Sequence, residues 1–325
     1  MVTIKDIARK AGVSISTVSC ALNGSPKVTS KTAAKIHAVA KELNYVPNAA
    51  ARSLKTRETK IIGIFLSDFS GAFYGDLLQG TKETLTKKGY DLVVCSGKKS
   101  HSMLPEGIID GAIILDVSFD SEEIVRYADR GHKLVVLDRE IAHSNINQVL
   151  LDNKAGATLA MEYLIEEGHR TIYAVTGPAS SYDSKQRLRA VMQVAERTAD
   201  VKLIVIEGDF EKTGGKLAAE QVMADLREES AAVFCFNDEM AIGIINYIAE
   251  SYPDTRIGQQ LHIIGFDNTE LASYTHPRLT TINYSKRKWG ELAAEQLIKL
   301  INGDTVDNER IYVTLLQGNS VRKAT

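Results

Sequence analysis

The side chains with the most chemical potential fall into two sets. The first is a run of small hydroxyls near the start of the chain, Ser14, Ser16, Thr17 and Ser19, interleaved with Ile15 and Cys20. Hydroxyls donate and accept without bulk, so they suit phosphate oxygens and base edges in a DNA groove. The second set consists of polar residues that follow apolar, strand-like runs: Asp68 and Ser70 with Phe73 and Tyr74, Asp138-Arg139, Arg187 after Gly177-Pro178, Asn237-Asp238 and Asp267-Asn268. Carboxylates and amides that accept from adjacent hydroxyls, an Arg fork that donates and an aromatic face for C–H edges together suit a sugar. Each member also has a plain structural reading. Asp238 and Asp267 could cap helices, Arg187 could pair with a nearby carboxylate, and Phe73 and Tyr74 could be core at a helix start.

Other chemistries find no support. The seven His residues show no HExxH or paired-ligand spacing, and there is no GxGxxG after the first strand and no GxxxxGK[ST]. Neither a metal nor a nucleotide cofactor is therefore expected. The three cysteines are far apart and lack CxxC spacing, so no disulfide framework or zinc site is readable. Cys95 and Cys235 lie in apolar runs and read as buried, inert thiols. No apolar run approaches the ~20 residues of a membrane span, and Met1–Asp6 does not read as a signal peptide, so the expected address is cytoplasmic.

The hydroxyl run must be positioned by helices. Ile4, Ile7, Ala8 and Ala11 form an i, i+3, i+4, i+7 stripe, opened by Thr3 and stopped at Gly12. Val18, Ala21 and Leu22 continue the spacing up to Asn23-Gly24, and a third helix runs from Ser30 to Asn44. Two eight-residue helices joined by a Gly-containing turn make a helix-turn-helix, whose second helix enters the major groove with Ser14–Thr17 on base edges and Ser19 and Cys20 one turn on. An ordinary Ser-rich surface helix is the alternative. Charge favours the first reading: residues 1–60 hold eleven Lys and Arg against Asp6, Glu42 and Glu58, a net of +8, while the rest nets −10. The chain's overall −2 conceals this division.

After Pro47, the segment Asn48–Thr56 is Ala-rich and too short to be a stable helix alone. Leu54 between Arg52 and Lys55 has the composition of a minor-groove wedge, although a linker would look similar. These strings, from Val2-Thr3-Ile4-Lys5-Asp6-Ile7-Ala8 through Ala11-Gly12-Val13-Ser14, Leu22-Asn23-Gly24 and Leu43-Asn44-Tyr45-Val46-Pro47-Asn48 to Ala51-Arg52-Ser53-Leu54, resemble the lactose-repressor (LacI/GalR) family of bacterial transcription regulators. The resemblance implies a homodimer on a near-palindromic double-stranded operator, with Leu54 of both copies at the central base step. It adds Thr3, Asn23, Tyr45, Asn48, Ala51 and Lys55 to the expected DNA contacts. Cys20 departs from the family, where a large polar or basic residue is common. A thiol cannot make the bidentate guanine contact of Arg, so operator preference does not carry over.

From Ile61 onwards, apolar runs alternate with helical periods. Strands are expected at 61–66, 92–95, 112–115, 134–137, 149–151, 171–175, 203–206, 233–236, 262–266, 280–283 and 311–316. Helices are expected at 73–88, 122–130, 184–197, 217–226, 239–250 and 286–301. Such alternation means parallel sheets covered on both faces. The expected fold class is α/β: an N-terminal all-α helix-turn-helix domain plus a periplasmic-binding-protein-like body of two Rossmann-like subdomains. The reader with its hinge spans 1–57 and the sensor and dimerisation domain 58–325, with subdomain one at 60–151 and 280–308 and subdomain two at 152–279 and 309–325. Only about a dozen residues, 96–107, connect the second and third strands, near the minimum for a parallel crossover. The family usually spends a full helix there.

Ligands of open α/β sheets bind beyond the carboxyl ends of strands, which is where Asp68, Phe73, Tyr74, Asp138, Arg187, Asn237 and Asp267 lie. Asp138, Arg187 and Asp267 also match effector-contact positions of the family, while Ala190 stands where the family typically has Gly. The expected function is a DNA-binding repressor whose operator affinity a small effector, a sugar or sugar derivative, controls allosterically. Competing readings are a solute-binding protein, a sugar-metabolising enzyme on the same scaffold, or a regulator answering to a protein co-repressor.

Overall fold

The computed structural model describes residues 2–46, 58–67, 69, 73–226 and 230–324. The chain divides into two compact units, Met1–Thr59 and Lys60–Thr325.

In the first unit, helices α1 (Ile4–Ala11), α2 (Ile15–Leu22) and α3 (Ser30–Glu42) enclose a small core of Ile7, Ala11, Val18, Ala21, Ile36 and Ala40. Thr3 caps α1: its backbone N–H and its hydroxyl both donate to the Asp6 carboxylate, at 2.9 and 2.7 Å. Gly12 ends that helix at φ +69°, a left-handed conformation that Cβ-bearing residues resist, and so sets the turn into α2. Lys10 ties α1 to α3 through Glu42 at 2.6 Å.

The second unit holds two six-stranded sheets. Sheet one has the order β11-β5-β4-β3-β1-β2 and is parallel throughout: β1 (Ile61–Leu66), β2 (Asp91–Cys95), β3 (Gly111–Leu115), β4 (Lys133–Val136), β5 (Ile146–Leu151) and β11 (Glu309–Ile311). Sheet two has the order β12-β10-β9-β8-β6-β7: β6 (Thr171–Val175), β7 (Lys202–Ile206), β8 (Ala231–Cys235), β9 (Leu261–Asp267), β10 (Thr280–Asn283) and β12 (Thr314–Leu316). Only the β10–β12 pair is antiparallel. Each sheet is a doubly wound 2-1-3-4-5 arrangement with one added edge strand, so each has a switch point, at β1/β3 and at β6/β8. The central strands are near-continuous apolar runs because helices cover both faces.

Helices α4 (Tyr74–Lys87), α5 (Ser121–Asp129) and α11 (Lys286–Asn302) serve sheet one. Helices α6 (Asn153–Glu166), α7 (Tyr182–Arg197), α8 (Lys212–Asp225) and α9 (Asp238–Ser251) serve sheet two, and α10 (Glu270–Ser273) is one short turn after β9. Helices α4 and α11 meet backbone to backbone at Gly80 and Gly290; a Cβ on either would collide with a carbonyl oxygen of the other helix, at Arg287 or Leu77.

The architecture is the one expected, with three corrections. Helix α6 lies where the expected elements include no helix, although Asp152 caps it and Ala157, Ala160, Met161 and Leu164 form its buried stripe. The expected final strand 311–316 is two strands in different sheets, parted by Tyr312 and Val313, because each half pairs with a different neighbour. Strand 280–283 does not return to subdomain one: it pairs with Ile264–Asp267, and Thr280 and Thr281 are buried there. The chain therefore crosses between subdomains at 151–153, 283–286 and 311–314. The 96–107 connection is as short as expected, two turns of 3-10 helix at Lys98–Met103 with His101 and Leu104 buried.

Candidate DNA-reading face and effector cavity

Helix α2 presents its first turn to solvent. Ser14 is the N-cap, its Oγ accepting from the Thr17 backbone N–H at 3.1 Å and lying 2.8 Å from the hydroxyls of both Ser16 and Thr17. Three of the expected base-reading hydroxyls thus form one cluster that also holds the helix start. Ile15 is 45% exposed and stands beside these hydroxyls on the solvent face of the helix. Asn23 donates from Nδ2 to the Ser19 carbonyl at 2.7 Å and closes the helix. Cys20 is half-buried, and Tyr45 packs on the small core. The hydroxyl of Thr3 is engaged by Asp6. Asn48, Ala51, Leu54 and Lys55 lie outside the described residues.

The second constellation is a cavity of about 490 Å³ beyond the carboxyl ends of both sheets. Residues after β1, β3, β6 and β8 line it, among them Ser67, Val117, Pro178 and Asn237, so it lies at both switch points. Phe73, Tyr74, Asp138, Arg187, Asn237 and Asp267 all line this one cavity. Asp68 and Ser70 lie outside the described residues.

The geometry differentiates these residues. Arg187, buried in the second turn of α7, stacks its guanidinium 3.6 Å from the centre of the Phe266 ring. Its Nε donates to Asn153 Oδ1 at 2.8 Å, and its Nη1 donates to the Phe236 carbonyl. Asn153 then donates from Nδ2 to Asp183 Oδ1 at 2.7 Å, so one amide orients both an Arg and a carboxylate toward the cavity. Burial pushes Asp183 up to about 6; Arg187 and the Asn153 hydrogen bond act in the opposite direction, and Asp138 and Asp267 reinforce the rise. Asp138 is clamped by its neighbour Arg139, through Nε at 2.8 Å and Nη2 at 2.7 Å.

Asp267 sits at φ +117° and accepts from the Tyr284 hydroxyl at 2.8 Å. Burial raises its pKa against the pull of Arg187 and Lys286. Asn237 also holds the fold: Oδ1 accepts from the Met240 backbone N–H at 3.0 Å to cap α9, and Nδ2 donates to the Phe210 carbonyl at 2.6 Å. Asp238 is deeper still, bonded to Thr281 at 2.6 Å and the Thr269 N–H at 2.7 Å. Burial and the nearby Asp267 raise its pKa. Phe73 stands edge-on to Tyr74 and to Trp289.

Tyr182, Asp183 and Phe210 on the wall, and Asn153 behind it, are not among the expected site residues. Asp183 was findable: it stands four residues before Arg187 on a helical period, which puts both on one face. Of the three cysteines, Cys95 and Cys235 are buried as expected, and burial raises both thiols.

Comparison with known proteins decides the family. Residues 3–48 match the family described as bacterial regulatory proteins, lacI family, and residues 161–321 match a periplasmic binding protein-like domain. The HTH-type transcriptional repressor PurR of Vibrio atlanticus (strain LGP32) is 34% identical over 324 residues, covering 96% of this chain and 95% of that protein. The chain belongs to the lacI family. Among solved structures, a sugar-binding transcriptional regulator of the LacI family from Enterococcus faecalis is 45% identical, with TM-score 0.77 over 82% of this chain and 98% of that one. The lac repressor dimer bound to operator and the anti-inducer ONPF is 28% identical, with TM-score 0.84 over 99% of each chain.

The protein is thus a helix-turn-helix transcription regulator, and the enzyme reading falls. As a lacI-family member it combines a DNA-reading unit with a sensor, which accounts for the separation of +8 from −10 along the chain. Among the described residues no helix is long and apolar enough to cross a membrane, and no group of three or more His, Cys, Asp or Glu could hold a metal ion.

Proposed function

We propose that this lacI-family regulator is a cytoplasmic homodimeric repressor whose operator affinity is set by an uncharged sugar bound in the 490 Å³ cavity. The observation that carries the sugar reading is the charge and engagement of the wall. Among the described residues of the wall, Asp138, Asp183, Asp209, Glu211, Glu239 and Asp267 stand with two cations, Arg187 and Lys212, while Arg139 clamps Asp138 and Lys286 holds Asp267 from behind. Arg187 is engaged by Asn153 and the Phe236 carbonyl, and Lys212 pairs with Glu239 at 3.3 Å. Carboxylates accept from ligand hydroxyls and repel phosphate, while Phe73, Tyr74 and Phe210 offer apolar faces. The sugar-binding Enterococcus faecalis relative is consistent with this reading.

For DNA, Ser14–Thr17 with Ser19 and Cys20 read base edges, and two copies place two such helices on a near-palindromic operator; the similar lac repressor has been seen as a dimer bound to operator. Residues 1–57 act as reader and hinge, with Leu54 as the central wedge, and 58–325 as sensor. The test is titration calorimetry with neutral pentoses and hexoses and their phosphates, with and without the selected operator duplex. A neutral sugar binds, and operator changes its affinity by the factor by which sugar changes operator affinity. A sugar phosphate binding more tightly than its parent sugar would overturn the neutral-ligand reading, and identical affinities with and without operator would overturn the allosteric one.

A further inference from the structure

Behind the cavity, one crossover segment touches both of its walls. On the subdomain-two side, Asp267 accepts from the Tyr284 hydroxyl at 2.8 Å, and the ring of Phe266, on which Arg187 stacks, lies 6.1 Å from the Tyr284 ring. Lys286, buried although charged, donates from Nζ to the Asp267 carbonyl and holds the left-handed backbone there. Tyr284 and Lys286 flank Ser285 at the 283–286 crossing, and Lys286 is the first residue of α11, which packs on subdomain one.

On the other side, Tyr284 meets Trp289 edge-on at 6.0 Å, and Trp289 meets Phe73 edge-on at 6.4 Å. Trp289 is fully buried and anchored, its Nε1 donating to the Val149 carbonyl of sheet one at 2.6 Å. Phe73 and Asp267 line the same cavity from opposite subdomains. A path of direct contacts therefore runs from one wall, through the crossover, to the other.

We propose that Tyr284, Lys286 and Trp289 are positioning residues that tie both cavity walls to the 283–286 crossing, so that a polyol seated between Asp267 and Phe73 resets the crossing between subdomains. The inference rests on the effector reading of the cavity. It goes further by naming the residues through which the 283–286 crossing feels the ligand: Asp267 is bonded to this crossing through both its carboxylate and its carbonyl. Burying a Lys ammonium and a Tyr hydroxyl is costly without hydrogen bonds, and here each donates to Asp267, the Lys to its carbonyl and the Tyr to its carboxylate.

Trp289 is the chain's one tryptophan, so all indole emission comes from inside the relay. The test uses the full-length protein and a panel of aldopentoses and aldohexoses, read in parallel by calorimetry and by tryptophan emission. A sugar that gives binding heat shifts Trp289 emission with the same midpoint. Tyr284→Phe keeps the ring and loses the bond to Asp267; it weakens that sugar at least about tenfold, the effect of losing one hydrogen bond to a charged group, and abolishes the emission change. Lys286→Met binds the sugar but no longer changes operator affinity, and Lys286→Arg restores that change. Circular dichroism checks the folding of each variant; if Lys286→Met does not fold, Tyr284→Phe carries the test. Binding heat with unmoved Trp289 emission, or both variants behaving as wild type, overturns the relay and leaves the effector reading standing. Absence of heat from every sugar overturns the effector reading and the relay with it.

Discussion

Asp183→Asn should stabilise the protein at pH 8 and lose that advantage in acid. The carboxyl is pushed from 3.8 to about 6 mainly by burial beside the cavity. A carboxyl whose folded pKa is raised binds more protons folded than unfolded between those values, so stability falls as pH rises through that window. Above pH 6 the folded protein carries the whole penalty, and below about 4 neither state is ionised and none remains. The shift of roughly two units corresponds to about 3 kcal/mol at most. Because Asp183 lines the cavity and is only half-buried, screening reduces this to roughly 1–2 kcal/mol. Asn keeps the oxygen that accepts from Asn153 and removes the charge repelled by Asp138 and Asp267. For a body of this size the gain is a rise in melting temperature of roughly 3–6 °C at pH 8. The assay is calorimetric melting of wild type and variant at pH 8, 6 and 4. An equal gain at pH 8 and pH 4, or a loss at pH 8, would refute the reasoning, because it would show that charge is not what the site resists.

Three further substitutions probe other parts of the molecule. Gly290→Ala should cost about 1–3 kcal/mol in urea unfolding, since the new Cβ meets the Leu77 carbonyl oxygen, a backbone atom that can retreat only if α4 and α11 separate; an unchanged midpoint would contradict the close approach. Ser14→Ala should destabilise the isolated 1–46 unit by about 0.5–2 kcal/mol through loss of the α2 cap, and should weaken operator binding as well; loss of DNA affinity with full stability would show that the hydroxyl is used only on DNA. Arg187→Lys should weaken sugar binding at least about tenfold in calorimetry, because an ammonium replaces neither the Phe266 stack nor the forked bonds to Asn153 and the Phe236 carbonyl; unchanged affinity would remove Arg187 from the site.

Local pattern made most of the elements legible. The stripe from Ile4 to Ala11, the Gly12 stop and the hydroxyl cap at Ser14 are short-range features, and the helix-turn-helix follows from them. The alternation of apolar runs likewise gave both sheets. What escaped depends on non-local choices. Nothing local to 311–316 says that its two halves pair with different sheets, nor that Thr280–Asn283 stays beside β9. The rule that ligand groups follow strands points to Asp138, Arg187, Asn237 and Asp267, all of which line the cavity, and the Asn237 amide also caps α9 and bonds the Phe210 carbonyl. It could not find Asn153, because α6 itself was missed, nor Tyr284, which acts from a crossover. Asp183 shows the opposite case, a spacing present in the sequence at i, i+4 from Arg187.

The charge of the body constrains how the signal must travel. Residues 61–325 carry −10, an excess that repels phosphate, while the +8 of residues 1–60 attracts it. An anionic effector would add to the repulsion and could loosen DNA binding electrostatically without any change of shape. The wall of the cavity argues against such a ligand, with six carboxylates and both cations engaged. A neutral sugar leaves the body at −10, so it cannot alter operator affinity through the field. Whatever coupling it exerts must come from differential contacts in two arrangements of the subdomains. Only three stretches of chain join those subdomains, at 151–153, 283–286 and 311–314. The first ends at Asn153, which orients Arg187, and the second holds Asp267 through Tyr284 and Lys286. Two of the three crossings are therefore hydrogen-bonded to residues of the cavity wall, and a ligand that moves Arg187 or Asp267 moves the joints themselves.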